Sequence, residues 1–414
     1  VTSFTGLTNI LPRKATRVTV NDPDSGELLD DGLVLVFPHP KSFTGEDVAE
    51  LHVHGSRAVL EDLIDALSRQ PALRPAEAGE FSRRAFDNGK LDLTAVEGLA
   101  DLINAETTAQ RRQAQRQLRG DLAALYDDWR DRLMKAIALF EAEIDFSDEE
   151  LPPGLRDEVD SVIQVLEAEI RGHVADPDRG RRVRDGFYIT VLGAPNVGKS
   201  SLVNRLSKRD VAIVSEVAGT TRDVIEVHLD LGGFPVIVAD TAGLRRGSDV
   251  IENEGIRRAH ERAATADHRV VLFDGTQLHD RDPETVKLAH TPDTISVITK
   301  SDLMGSRWTL PTELPDPVLV SSETGEGIEE LVERLRLNVE HLHGGSAAPV
   351  LTRTRHLLAL QDCLSGLSGY QQAGEVELAA EDLRLAVRAL GKITGRVDVE
   401  DVLDIIFKEF CIGK

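Results

Sequence analysis

The stretch "GAPNVGKSSL", from Gly193 to Leu202, leaves the chain around it little freedom. The apolar run "FYITVL" before it reads as a buried strand, and "SLVNRL" after it opens an amphipathic helix. A strand, a glycine-rich turn and a helix in that order make a phosphate site. The pattern G-x-x-x-x-G-K-[ST] wraps backbone N–H groups around a polyphosphate, and Gly193 and Gly198 permit an approach that a Cβ would block. Lys199 then reaches the β- and γ-phosphates, the Ser200 hydroxyl binds Mg2+, and Asn196, Val197 and Ser201 complete the loop around the nucleotide.

Four further motifs follow in order. "GTTRD" begins at Gly219, and Thr221 within it is placed to be a switch hydroxyl that coordinates Mg2+ only while the γ-phosphate is present. "VIVADTAG" ends a buried strand at Asp240, whose carboxylate can hold Mg2+ through water. Thr241 and Ala242 lead from it to Gly243, whose N–H can face the γ-phosphate. "SVITKSD" ends in Thr299, Lys300, Ser301 and Asp302. A carboxylate there accepts both N1–H and N2–H of guanine, which adenine cannot offer, while the lysine stem covers the base. "SSETGEG", opening with Ser321, Ser322 and Glu323, follows the strand "PVLV" and suits a loop closing over the base. One such motif alone could be a surface turn; five in order at domain-sized spacing specify a GTP site.

The hydrolytic step is less legible. Where Ras-like GTPases carry a water-orienting Gln, this chain has Leu244, which cannot hydrogen-bond. The carboxylates of "RRGSDVIENEG", Asp249, Glu252 and Glu254, are the candidates to act on the water. Asn196 has two readings: its side-chain oxygen helps hold a monovalent cation beside the phosphates, or it only shapes the loop.

At 414 residues the chain requires two or three domains. Residues 1–86 read as an α+β domain, with strands in "GLVLVF" and "AELHVHG", a turn at Pro38 and Pro40, and a helix in "SRAVLEDLIDALSR". Residues 87–185 read as helical. Leu118, Leu122, Leu125, Trp129, Leu133, Ile137, Phe140 and Ile144 recur on one face of a long helix, which "LPPG" at Leu151 breaks before another begins at Leu155. Residues 186–340 alternate short β-rich runs with helices, the signature of a doubly wound sheet. After the linker "GGSAAP", residues 341–414 are helical again, with a helix closing at Gly395. The economical inference is one helical domain with the nucleotide domain inserted into it, so the fold class is multidomain α+β.

Two cysteines far apart, Cys363 and Cys411, exclude a disulfide framework and suggest a reducing, cytoplasmic setting. No apolar run approaches the roughly 18 residues that a membrane span requires, and no signal peptide is expected. A net charge of -23 argues against broad capture of nucleic acid. "RQAQRQLR" and "DRGRRVR" then read as a solvated helix face and a basic linker before they read as nucleic-acid patches. His52 and His54 stand two apart on a strand, where packing is the expectation and zinc the lesser reading.

Beyond the nucleotide motifs, the stretches "SFTGEDVAELHVHG", "RPAEAGEFSRRAFDNGKLDLTAVEGLADLI" and "EAEIDFSDEE" and the ending "CIGK" resemble the MnmE (TrmE) family of tRNA-modification GTPases over nearly the whole chain. The resemblance implies an N-terminal folate-binding and dimerising domain, a helical domain and an inserted Ras-like α/β GTPase domain. It implies work with MnmG (GidA), an FAD-containing partner, on C5 of the wobble uridine of tRNA. There the pair installs an aminomethyl or carboxymethylaminomethyl group, using the one-carbon unit of 5-formyl- or methylene-tetrahydrofolate. The family's folate contacts match Glu50, Lys90 and Lys414, and its K+ ligands match Asn196, Ser215, Val217 and Thr220. Glu216, Ala218 and Gly219 fall in the same nucleotide-facing switch. The general base matches Glu252, and a thiol in the modification chemistry matches Cys411, whose other reading is a small apolar residue at a helix end. Thr299 stands where most relatives have Asn. A C-a-a-X lipidation signal would not end in Lys414, which disposes of that reading of "CIGK". Two other functional classes stay in view. A GTP-controlled binding switch of the ribosome-assembly kind would carry a KH-type domain after the nucleotide domain, and no suitable G-x-x-G loop is legible after Gly344. A folate-binding protein with an incidental GTPase would bind folate independently of nucleotide.

Overall fold

The computed structural model describes residues 1–71, 73–145, 155–209, 211–213, 226–240, 266–305, 309–344, 348–397, 403 and 406–407, with the backbone alone at 142–145, 155, 240 and 284. Two compact units result. One comprises residues 1–100, 117–162 and 365–414, and the other 101–116 and 163–364.

The chain opens with a short helix α1 (Thr2–Thr5) and the strands β1 (Thr16–Asn21), β2 (Leu28–Phe37) and β3 (Val48–His52), which form an antiparallel sheet in the order β1-β2-β3. Helix α2 (Arg57–Ser68) starts at Ser56, whose Oγ accepts from Val59 N at 3.3 Å, a side-chain N-cap. It lays Leu63 and Ala66 against Phe4, Val18, Val20 and Val34 to close a small core. His52 and His54 contribute nothing to that core, contrary to the packing expectation. Both are exposed, and each pairs with a carboxylate: His52 Nε2 with Glu50 Oε2 at 2.9 Å and His54 Nδ1 with Asp30 Oδ1 at 2.9 Å. No group of three or more residues able to hold a metal occurs among the described residues.

A helical series follows: α3 (Glu80–Asp87), α4 (Leu93–Ile103), α5 (Thr108–Leu118), α6 (Asp121–Asp145), α7 (Leu155–His173) and α8 (Arg179–Asp185). The expected long helical face divides between two helices, because Gly120 at φ +90° interrupts the chain after Leu118. Leu122, Trp129, Leu133, Ile137 and Phe140 are buried along α6 as the spacing requires. "DRGRRVR", expected as a basic linker, is instead the helix α8, with Gly180 and Val183 buried and arginines engaged in ion pairs. Arg182 Nε meets Asp267 Oδ1 at 2.8 Å and Arg181 Nε meets Asp178 Oδ1 at 2.8 Å.

The nucleotide domain contains β4 (Phe187–Gly193), α9 (Lys199–Leu206), β5 (Glu226–Leu231), β6 (Phe234–Asp240), β7 (His268–Asp274), α10 (Pro283–Ala289), β8 (Thr294–Thr299), β9 (Val318–Val320) and α11 (Ile328–His343). Its sheet runs β5-β6-β4-β7-β8-β9, parallel except for the antiparallel edge strand β5. Along β7, Val270 and Leu272 join one apolar core while Val271 and Phe273 join another. Burial on both faces is why the strand reads as a continuous hydrophobic run.

Helices α12 (Thr354–Gln372) and α13 (Val376–Thr394) follow, α13 closing at Gly395 with φ +84° as its sequence foretold. Helix α13 packs on α6: Arg384 reaches Glu141 and Arg396 reaches Asp127, each at 2.7 Å. The ring of Tyr370 on α12 meets Phe140 edge-on at 5.3 Å. Helical segments from before and after the nucleotide domain therefore share one core, with that domain inserted between them in sequence.

Candidate nucleotide site

Strands β4, β6, β7 and β8 finish at one edge of the sheet, with Asp240 level with Val191 and Asp274 level with Thr299. The carboxyl end of a parallel sheet is where such folds bind ligands. The turn after β4 is tightly specified. Gly193 has φ +145°, and a Cβ there would lie 2.7 Å from the carbonyl oxygen of Leu272 on β7. Its first constraint is therefore the neighbouring strand, a reason the local sequence does not display. Gly198 differs: an added Cβ would stand 3.8 Å from the nearest atom of Thr299, so its φ of +104° is what demands glycine. Asn196 between them is also left-handed, at φ +62° and exposed, a conformation asparagine tolerates.

Lys199 is 8% exposed and donates from Nζ to Gly193 O at 2.8 Å and Ala194 O at 3.0 Å, so its charge lies under the loop. Ser200 is the second residue of α9, and Ser201 beside it is exposed. Val197 is buried and acts through its carbonyl. The Thr299 hydroxyl donates to Val197 O at 2.6 Å, with Phe273 O at 3.1 Å beside it. This ties the phosphate loop to the end of β8, where base selection is expected.

Lys300 follows with φ +56°, its ammonium bonded to Asp274 Oδ2 at 2.6 Å. Burial works against the charge on Asp274, but the Lys300 and Thr276 hydrogen bonds outweigh it and hold the carboxyl below the usual range. Asp302 is exposed in the turn Ser301–Leu303. The loop from Ser321 is closed on itself. Ser321 N donates to Glu326 O at 3.0 Å, Gly325 N donates to Ser321 O at 2.9 Å, and Ser321 Oγ accepts from Thr324 N at 3.1 Å. Ser322 is half-buried and Glu323 exposed beside it, and Arg205 of α9 reaches Thr324 O at 3.5 Å. Three stretches far apart in sequence thus meet at one edge.

Ser215, Glu216, Val217, Ala218, Gly219, Thr220, Thr221, Thr241, Ala242, Gly243, Leu244, Asp249, Glu252, Glu254, Cys411 and Lys414 lie outside the described residues, as does the side chain of Asp240. Cys363 is fully buried, and burial pushes its thiol up to about 12.

In the N-terminal region Glu50 sits on β3 opposite Leu35 and pairs with His52, while Lys90 Nζ donates to Pro40 O at 3.0 Å. Sequence reasoning missed the residues that assemble this face. Arg84 pairs with Glu46, and Asn88 Nδ2 donates to Thr44 O at 2.9 Å. These bonds join the "FTGED" loop to α3 and the turn after it. It missed Asp274 as well, for which the strand-ending "DGT" was the available signal.

A family model for the MnmE helical domain matches residues 93–411, and one for the GTP-binding protein TrmE N-terminus matches residues 2–90. The tRNA modification GTPase MnmE of Paramagnetospirillum magneticum is 54% identical over 414 residues, covering 100% of this chain and 93% of that protein. The chain belongs to the MnmE family. Other MnmE-like relatives extend across kingdoms. The MnmE of Rhodospirillum rubrum is 52% identical, over 100% of this chain and 94% of its own. The mitochondrial 5-taurinomethyluridine-[tRNA] synthase subunit GTPB3 of Homo sapiens is 48% identical, over 98% of this chain and 85% of its own.

Proposed function

We infer that this chain is a GTP hydrolase acting in tRNA modification. The observation that supports the reading is the Thr299 bond to Val197 O, which joins the glycine-rich loop to the T-K-S-D segment that would read guanine. Lys199, already turned under the loop, would meet the β- and γ-phosphates, and Asp302 the guanine edge. Bound Mg2+ would neutralise phosphate charge, and Ser200 at the start of α9 with Thr221 would hold it. Asn196, whose left-handed backbone leaves it exposed on the loop, would hold K+ with Ser215, Val217 and Thr220. Glu252 would take the proton of the attacking water, the task for which Leu244 is chemically unfit.

The reading extends to the pathway step. With an FAD-containing MnmG partner, a homodimer of this chain in the cytoplasm would modify C5 of the wobble uridine of tRNA using a folate one-carbon unit. Glu50 and Lys90, with Lys414, would hold the folate. In support, Lys90 grips Pro40 at the start of the loop that leads into the strand of Glu50. Cys411 would supply a thiol near it.

The test is steady-state hydrolysis by the purified chain in KCl and NaCl at equal ionic strength, with ATP as control. Strong stimulation by K+ with GTP alone is the expected result. Equal slow rates in both salts would remove the cation role of Asn196 and leave a GTP-timed binding switch as the reading to pursue.

A further inference from the structure

β7 ends at Asp274, and its carboxylate serves two neighbours at once. Oδ1 accepts from the Thr276 backbone N–H at 2.9 Å and from its hydroxyl at 2.6 Å, shaping the turn Gly275–Gln277. Oδ2 accepts from the Lys300 ammonium at 2.6 Å. The pair is largely withdrawn from water, with the Asp274 side chain 17% exposed and Lys300 33%. That withdrawal, together with the short charged contact, sets it apart from a surface ion pair of negligible worth.

The backbone around the pair is equally constrained. Lys300 holds a left-handed φ of +56°, which costs a non-glycine residue about 1 kcal/mol or more. A Cβ on Gly275 would come within 2.5 Å of Thr299 O and 2.8 Å of Met304 Sδ, so the turn after Asp274 lies directly against the segment it anchors. An unanchored lysine stem samples many rotamers, whereas this one is tethered at its tip and strained at its base.

We propose that Asp274 is a positioning residue for guanine recognition. It acts through Lys300: fixing the ammonium orients the stem that covers the base and steadies the turn that carries Asp302. The inference rests on the GTP reading above and adds to it a residue outside the five nucleotide motifs.

The experiment compares Asp274→Ala, Asp274→Asn, Lys300→Ala and the double variant Asp274→Ala/Lys300→Ala in the full chain. Fluorescent GDP binding and steady-state GTP hydrolysis are measured on each. Loss of the anchor should raise the GDP Kd and the GTP KM about tenfold in Asp274→Ala, with a much smaller change in kcat. Asp274→Asn keeps the acceptor for Thr276 and the shape of the turn, so a similar rise in KM there assigns the effect to the lost carboxylate charge that anchors the Lys300 ammonium. The double variant should bind no more weakly than Lys300→Ala alone, because one residue acts through the other. Unchanged affinity in the folded Asp274→Asn protein, or a full further tenfold loss in the double variant, would overturn the proposal. Wild-type protein that does not bind GDP would instead sink the GTP reading, so the two failures are distinguishable.

Discussion

The Thr299 hydroxyl has one proton and two carbonyl neighbours, Val197 O at 2.6 Å and Phe273 O at 3.1 Å, in a site that is 2% exposed. Replacing it with the isosteric valine leaves buried acceptors without their donor, which costs about 1–3 kcal/mol. Thr299→Val should therefore lower urea stability by that amount and weaken GDP binding, while Thr299→Ser, which keeps the hydroxyl, should restore most of both. The sequence marked Thr299 as part of the base-reading segment but was silent on the strap. The strap spans 102 residues of chain, and no local pattern encodes a partner so distant.

At the scale of elements, the loop between β9 and α11 shows how a turn can be set by what lies beside it. Gly327 has φ +73°, and a Cβ there would fall 1.7 Å from Leu319 O. Gly327→Ala should lose on the order of 3 kcal/mol, from backbone strain and the forced displacement of β9 together. Gly305→Ala is the control: among the described residues nothing lies within 4 Å of an added Cβ, and thermal unfolding should barely move. Periodicity and glycine position placed most helices and strands, the α13 terminus at Gly395 among them. The division between α5 and α6 escaped because the apolar spacing continues through Gly120, and only its φ of +90° shows the interruption.

At the scale of the molecule, chain from either side of the nucleotide domain also meets within the second unit. His173 precedes the sheet in sequence and His356 follows it. Burial, then the nearby His356, pushes His173 down to about 4. Between the ordinary histidine range and that value the unfolded chain takes up a proton that the folded chain refuses. Stability should therefore fall as pH drops from about 6.5 to about 4 and level off below, with a contribution of up to about 3 kcal/mol from this residue. Urea unfolding at pH 7.5 and pH 5 checks it, and His173→Gln should flatten the difference. By itself the sequence determined the phosphate loop, the order of the GTP motifs and the helical and α+β stretches. These are written in runs of a few residues, because backbone conformation and amphipathic faces are local properties. Only the tertiary structure decided that Gly193 answers to Leu272, that Asp274 holds Lys300, and that α6 packs on α13. Those pairings depend on which distant surfaces the folded chain brings within a hydrogen bond's reach.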